Sequence, residues 1–98
     1  MKRARFVAAA RREFLAEVAF YNEIQNGLGV RFASSVEEAA ARALAFPFAG
    51  SPSAASTRRV LLKDFPFSLY YRPEDGGIVV FAVANHARLP GYWLGRAR

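Results

Sequence analysis

The side chains able to do chemistry lie late in the chain. Arg58, Arg59 and Lys63 share one short segment; His86, Arg88, Tyr92, Trp93 and Arg96 share another. Arginine grips phosphate in two-point geometry and offsets the charge that builds on it during transfer. Histidine or tyrosine can move a proton. Together these types suit a phosphoryl-transfer site or a surface for a polyanion. The competing reading is a basic surface with an amphipathic aromatic anchor, since charge clusters often serve structure alone. Trp93 belongs to a core or an interface in either case.

Other chemistries find no residues. There is no cysteine, which removes disulfide scaffolds, zinc knuckles and thiol nucleophiles. One histidine and scattered carboxylates make no metal site, and no cofactor is expected. Glu37-Glu38 and Asp75 are expected on a solvated helix face and in a turn. Gly76-Gly77 is expected in a hairpin turn and Gly27-Leu28-Gly29 between helices, and neither follows a strand and opens into a helix with the lysine of a phosphate loop. None of Ser34, Ser35, Ser51, Ser53, Ser56 and Ser68 sits in a Gly-x-Ser-x-Gly elbow, so no Ser-His-Asp grouping is read.

The 98 residues bound the architecture to one domain, spanning 1–98. Apolar residues form 53% and charged residues 22%, which argues for a packed globule and against disorder. The longest apolar run, Ile78 to Ala84, has seven residues, far short of a membrane span. Arg11, Arg12 and Glu13 interrupt any apolar core behind the basic start, so a secretory leader is not expected. The cytoplasm is the expected location. Fourteen Lys and Arg against eight Asp and Glu leave +6, which favours a polyanion or an acidic protein. Twelve of the fourteen are arginine, a bias that genome base composition explains equally well, as it does the nineteen alanines.

Periodicity supplies the elements that must position these groups. Residues 3–8 read as a short strand or a helix lead-in. Residues 9–26 read as a helix, with Phe14, Val18 and Tyr21 at i, i+4, i+7 and with Leu15, Ala19 and Ile24 widening the stripe. Asn26-Gly27 is a stop signal. A second helix is expected from near Leu28 to Phe46, burying Phe32, Val36, Ala39 or Ala40, and Ala43, although Ser35-Val-Glu-Glu38 has capping-box spacing of its own. Pro47 and Gly50–Ser56 end it in a loop. Val60-Leu61-Leu62 and Phe67–Arg72 read as strands, Pro73–Gly77 as a turn, and Ile78–Ala84 as a central strand buried on both faces. The expected fold is α+β: an N-terminal helical hairpin packed in two layers on a twisted antiparallel sheet of three strands, or four with residues 3–7. Alternation sets Arg59, Leu61 and Lys63 on one face of the first meander strand. The first and third strands flank the second, so Arg59 and the His86–Arg96 segment can converge on one sheet face.

Four segments in order resemble the RelE/ParE superfamily of toxins from type II toxin–antitoxin systems, also called plasmid-stabilisation proteins. They are the first helix with Phe14, Glu17 and Tyr21; Gly27-Leu-Gly29 followed by Phe32 and Val36; Arg59 to Tyr71; and Ala82-Val-Ala-Asn-His-Ala-Arg-Leu-Pro-Gly-Tyr-Trp93 followed by Arg96. The resemblance covers nearly the whole chain. It implies a bacterial growth inhibitor neutralised by a cognate acidic antitoxin, in a toxin–antitoxin hetero-oligomer with no membrane partner. RelE-like members are ribosome-dependent endoribonucleases that cut messenger RNA; ParE-like members inhibit DNA gyrase without catalysis. Arg59 matches a basic position of the ribonuclease branch and Tyr92 its late tyrosine. Two further arginine positions fall on Ser68 and His86, and a lysine position on Leu61. That depletion favours the ParE-like side. The RelE-like alternative would make Arg59, His86, Arg88 and Tyr92 catalytic. Lys63, Trp93 and Arg96 are the candidates for binding target or antitoxin. A second alternative is an inactive relative that keeps only antitoxin binding.

Overall fold

The computed structural model describes residues 2–98. The elements run β1 (Arg3–Phe6), α1 (Ala8–Ile24), α2 (Leu28–Ala45), β2 (Ser51–Ser53), β3 (Thr57–Leu61), β4 (Phe67–Glu74), β5 (Gly77–Asn85) and α3 (Leu94–Ala97). The fold is α+β, as its sequence pattern predicts. No helix among the described residues is long and apolar enough to cross a membrane.

The helical hairpin follows from its punctuation. Gly27 takes φ 86° between the helices, a conformation that costs glycine least. Gly29 then lets α2 press against α1, because a Cβ there would collide with the Val18 carbonyl and the Asn22 side chain. The Gly29 N–H donates instead to Asn22 Oδ1 at 2.8 Å. Phe32, Val36, Ala39 and Ala43 are buried at helical spacing, and Phe14, Val18 and Tyr21 pack against them. Phe32 sits among four rings, those of Phe14, Tyr21, Phe65 and Phe67. Leu15, Ala19 and Ile24 do not widen this stripe; all three are exposed, because the sheet is wide enough to cover only one face of α1.

The sheet differs from expectation in two ways. It has five strands in the order β1-β5-β4-β3-β2, and it is mixed, since β1 pairs parallel with β5. A strand that joins a partner some seventy residues away leaves no local pairing signal. The added strand β2 lies within the Gly50–Ser56 run read as a loop. Its three residues pair with β3 at the sheet edge, where Pro52 costs no ladder bond. Positive φ at Ala55 and Ser56 turns the chain back into β3.

Strand β5 is buried on both faces, as its apolar run predicts. A bulge at Phe81 shifts the alternation along the strand: Tyr70 pairs with Ala82 and Tyr71 with Val80, leaving Phe81 unpaired. Ile78, Val80 and Val83 face the helical core, while Val79, Phe81, Ala82 and Ala84 face a second cluster. That cluster is closed by the C-terminal segment. Trp93 is 2% exposed and stacks on Tyr70 with ring centroids 4.3 Å apart. Residues 89–98 therefore add a partial third layer to the expected two.

Trp93→Ala should cost about 3–5 kcal/mol of stability, the range for emptying a large aromatic site. Urea unfolding followed by circular dichroism measures this; a loss under about 1 kcal/mol would place Trp93 outside the core.

Candidate functional site

Arg59, His86, Arg88 and Tyr92 line one open cleft of about 280 Å³, floored by Tyr70 and Trp93. Arg59 reaches it from the exposed parity of β3, opposite Tyr70 in register. His86 leaves the end of β5, its N–H held by the Pro66 carbonyl at 2.9 Å. A tight turn follows: Asn85 Oδ1 accepts the Ala87 N–H at 2.8 Å and the Asn85 carbonyl accepts that of Arg88 at 3.1 Å. This turn sets Arg88 over the Tyr92 ring, 3.8 Å from its centroid. Pairing of β3, β4 and β5 thus brings the two late segments together.

Two expected positions lie elsewhere in role. Lys63 falls beyond β3 on the helix side, its ammonium 4.0 Å from Glu38 of α2, because the chain has left the sheet plane before reaching it. Trp93 is core. Neither presents a free binding group to the cleft.

Glu13 is the residue that sequence reasoning missed. It lies on α1, with 13% of its side chain exposed. Arg96 embraces it with two bonds, 2.9 and 3.0 Å. Tyr92 donates its hydroxyl to Oε2 at 2.6 Å, and an Arg88 nitrogen stands 3.6 Å away. The Val83 N–H also donates to Oε1 at 3.2 Å, and Arg96 donates to the Phe81 carbonyl at 3.1 Å. These last two bonds have a structural origin. Strand β1 covers the β5 edge only as far as Val80. Beyond it, Glu13 and Arg96 satisfy backbone groups that a neighbouring strand would otherwise pair. The partners of Glu13 are seventy or more residues away, so no spacing rule reveals them.

The electrostatics follow from this hub. Burial, then the Glu13 hydrogen bond and charge, push the Tyr92 phenol well above the ordinary tyrosine range, against the pull of Arg88 and Arg96. The Glu17 carboxyl, one turn along α1, is raised by burial and by Glu13, with Arg88 opposing. Arg96 is held in its charged form chiefly by the Glu13 hydrogen bond.

Ser68 and His86 form the other contact of interest. Ser68 Oγ lies 2.8 Å from His86 Nε2. Ser68 is fully buried on β4, opposite Ala84. Among the described residues no three metal-ligating side chains gather in one place.

A tyrosine whose folded pKa is raised contributes stability that is complete below its unfolded value of about 10 and is lost as pH rises toward the folded value. Stability should therefore decline above about pH 10, and Tyr92→Phe should flatten that decline. In Glu13→Gln the Tyr92 titration should move down toward the ordinary range. Phenolate absorbance, with Tyr92→Phe as the blank, reads this directly; an unmoved titration would deny the Glu13 hub.

The chain matches no protein-family model and no curated protein.

Proposed function

We propose that this chain is the toxin of a type II toxin–antitoxin pair, acting in the cytoplasm in the ParE-like manner, by binding DNA gyrase, and restrained by an acidic antitoxin. The residue resemblance supplies the family and the target. One observation favours binding over catalysis: Tyr92 at the late end of the cleft, and Arg96 next to it, are already committed inside the molecule. Tyr92 donates its hydroxyl to Glu13 and holds its proton there, and Arg96 is locked to the same carboxylate. Arg88 lies 3.6 Å from it. A phosphoryl-transfer site wants cations turned toward the phosphate and a proton carrier that releases readily. This network withholds the Tyr92 phenol and Arg96 from that work and leaves the cleft Arg59, His86 and a partly exposed Arg88. Exposed Phe46, Phe48, Leu61 and Leu89, with the +6 charge, suit contact with protein surfaces.

A second reading is the RelE-like ribonuclease. It is favoured by the Ser68–His86 bond, which holds an imidazole in the cleft that Arg59 also lines. In that case the histidine would carry the proton and Arg59 would hold the phosphate.

Expression of the chain alone should arrest bacterial growth, and purified protein should block gyrase supercoiling. His86→Ala should leave that block within about twofold, since a binding surface does not depend on a proton carrier. Normal supercoiling at saturating protein would sink the ParE-like reading, and growth without arrest would leave the inactive relative.

A further inference from the structure

Helix α1 turns one face to the sheet and the other to solvent. The outer face carries a seam of its own. Arg12, Ala16, Ala19 and Glu23 follow one another at steps of four, three and four, the spacing that keeps side chains in one line along a helix. Leu15 and Phe20 flank this line on opposite sides. Leu15 is 51% exposed and Phe20 52%, and the other four are exposed as well. The Tyr21 ring meets Phe20 edge-on, with centroids 5.5 Å apart, and steadies it. None of the six side chains lines the cleft. Periodicity assigns Leu15 and Ala19 to a buried stripe; in the folded chain both lie in solvent.

The seam is balanced about its own midpoint. Its early end is positive and its late end negative. Arg12 and Glu23 both stand outside every ion pair among the described residues. A second copy of α1, laid antiparallel and centred between Glu17 and Val18, would set Arg12 of each copy against Glu23 of the other. The same register opposes Ala16 to Ala19 at the two-fold axis. Small side chains there let the helix axes approach to about 8 Å, the near end of the range for packed helices. Leu15 then rests beside Ala19 of the second copy and Phe20 beside its Ala16, large against small. Every contact occurs twice, as a two-fold interface requires. Parallel pairing would instead oppose arginine to arginine. A strongly acidic or strongly basic partner would meet one end of like sign. On a chain of net charge +6, this seam is a place where two copies can meet with their local charges paired.

We infer that the outer face of α1 is a homodimer interface, in which two copies pack antiparallel through Ala16 and Ala19 and close the join with two Arg12–Glu23 ion pairs. The seam runs for three turns, roughly 16 Å of helix. A patch of that size gives a weak, reversible dimer rather than an obligate one. The inference does not depend on the toxin reading.

Sedimentation equilibrium of the full chain, over about 1 µM to 1 mM protein, reads the association. A monomer–dimer equilibrium is expected. Charge reversal then tests the register. R12E lowers the net charge below +6 and E23R raises it above, so bulk repulsion alone would strengthen one dimer and weaken the other. The interface predicts that each single reversal weakens dimerisation about tenfold, because each sets like charges together twice. The double variant R12E/E23R restores both pairs and should return the dissociation constant to within about threefold of the parent. Both positions are exposed, so circular dichroism and the thermal midpoint of dilute protein should stay near those of the parent. A chain still monomeric at about 1 mM would overturn the interface. So would single reversals that shift association in opposite directions, or a double variant that dimerises no better than the singles.

Discussion

One carboxylate ties the beginning of this fold to its end. Glu13, on the first helix, takes a bidentate arginine, a phenol and a strand N–H from residues 83–96, with a second arginine close by. A largely buried charge survives only when its oxygens are fully hydrogen-bonded, and here they are. The arrangement also solves a backbone problem. Strand β1 stops at Phe6, and the uncovered part of β5 needs partners. Glu13 supplies an acceptor for Val83 N–H and Arg96 a donor for the Phe81 carbonyl, where no strand reaches. The C-terminal segment can then lie across the sheet and bury Trp93 and Ala97.

The same network decides how the cleft is read. Arg59 and His86 line it together with Arg88 and Tyr92. The second pair is oriented by Glu13 and stacked together, which makes it rigid and partly neutralised. The first pair keeps its chemistry, with His86 steadied by Ser68. A cleft built in this way presents shape and a modest positive charge more readily than it delivers protons. That physical asymmetry, more than any single residue type, is the ground on which we propose protein binding ahead of RNA cutting.

Local chemistry was legible in the residues. Gly27 marked the break between helices, Phe32 and Val36 marked the buried face of α2, and the turn read over Pro73–Gly77 narrowed to Asp75-Gly76 because β4 and β5 pair up to Glu74 and Gly77. Even the double burial of β5 could be read from its uninterrupted apolar run. What stayed hidden was non-local. The parallel partner of β1, the bulge at Phe81 and the Glu13 hub all depend on residues brought together by the completed sheet. Strand β2 was hidden for a different reason, since Ser-Pro-Ser has loop composition and is extended only because β3 offers it an edge. Convergence of Arg59 with the His86–Tyr92 segment was legible from meander topology, but the inward commitment of Tyr92 and Arg96 was not.

The most direct measurement is the integrity of a defined messenger RNA in a cell-free translation reaction titrated with the purified protein. If the cleft binds and does not cut, the message should stay whole at codons held in the ribosomal A site, even at protein in large excess over ribosomes. Cleavage at those codons, lost in His86→Ala and in Arg59→Ala with the fold intact, would contradict that account and make the Ser68-supported histidine the centre of a nuclease.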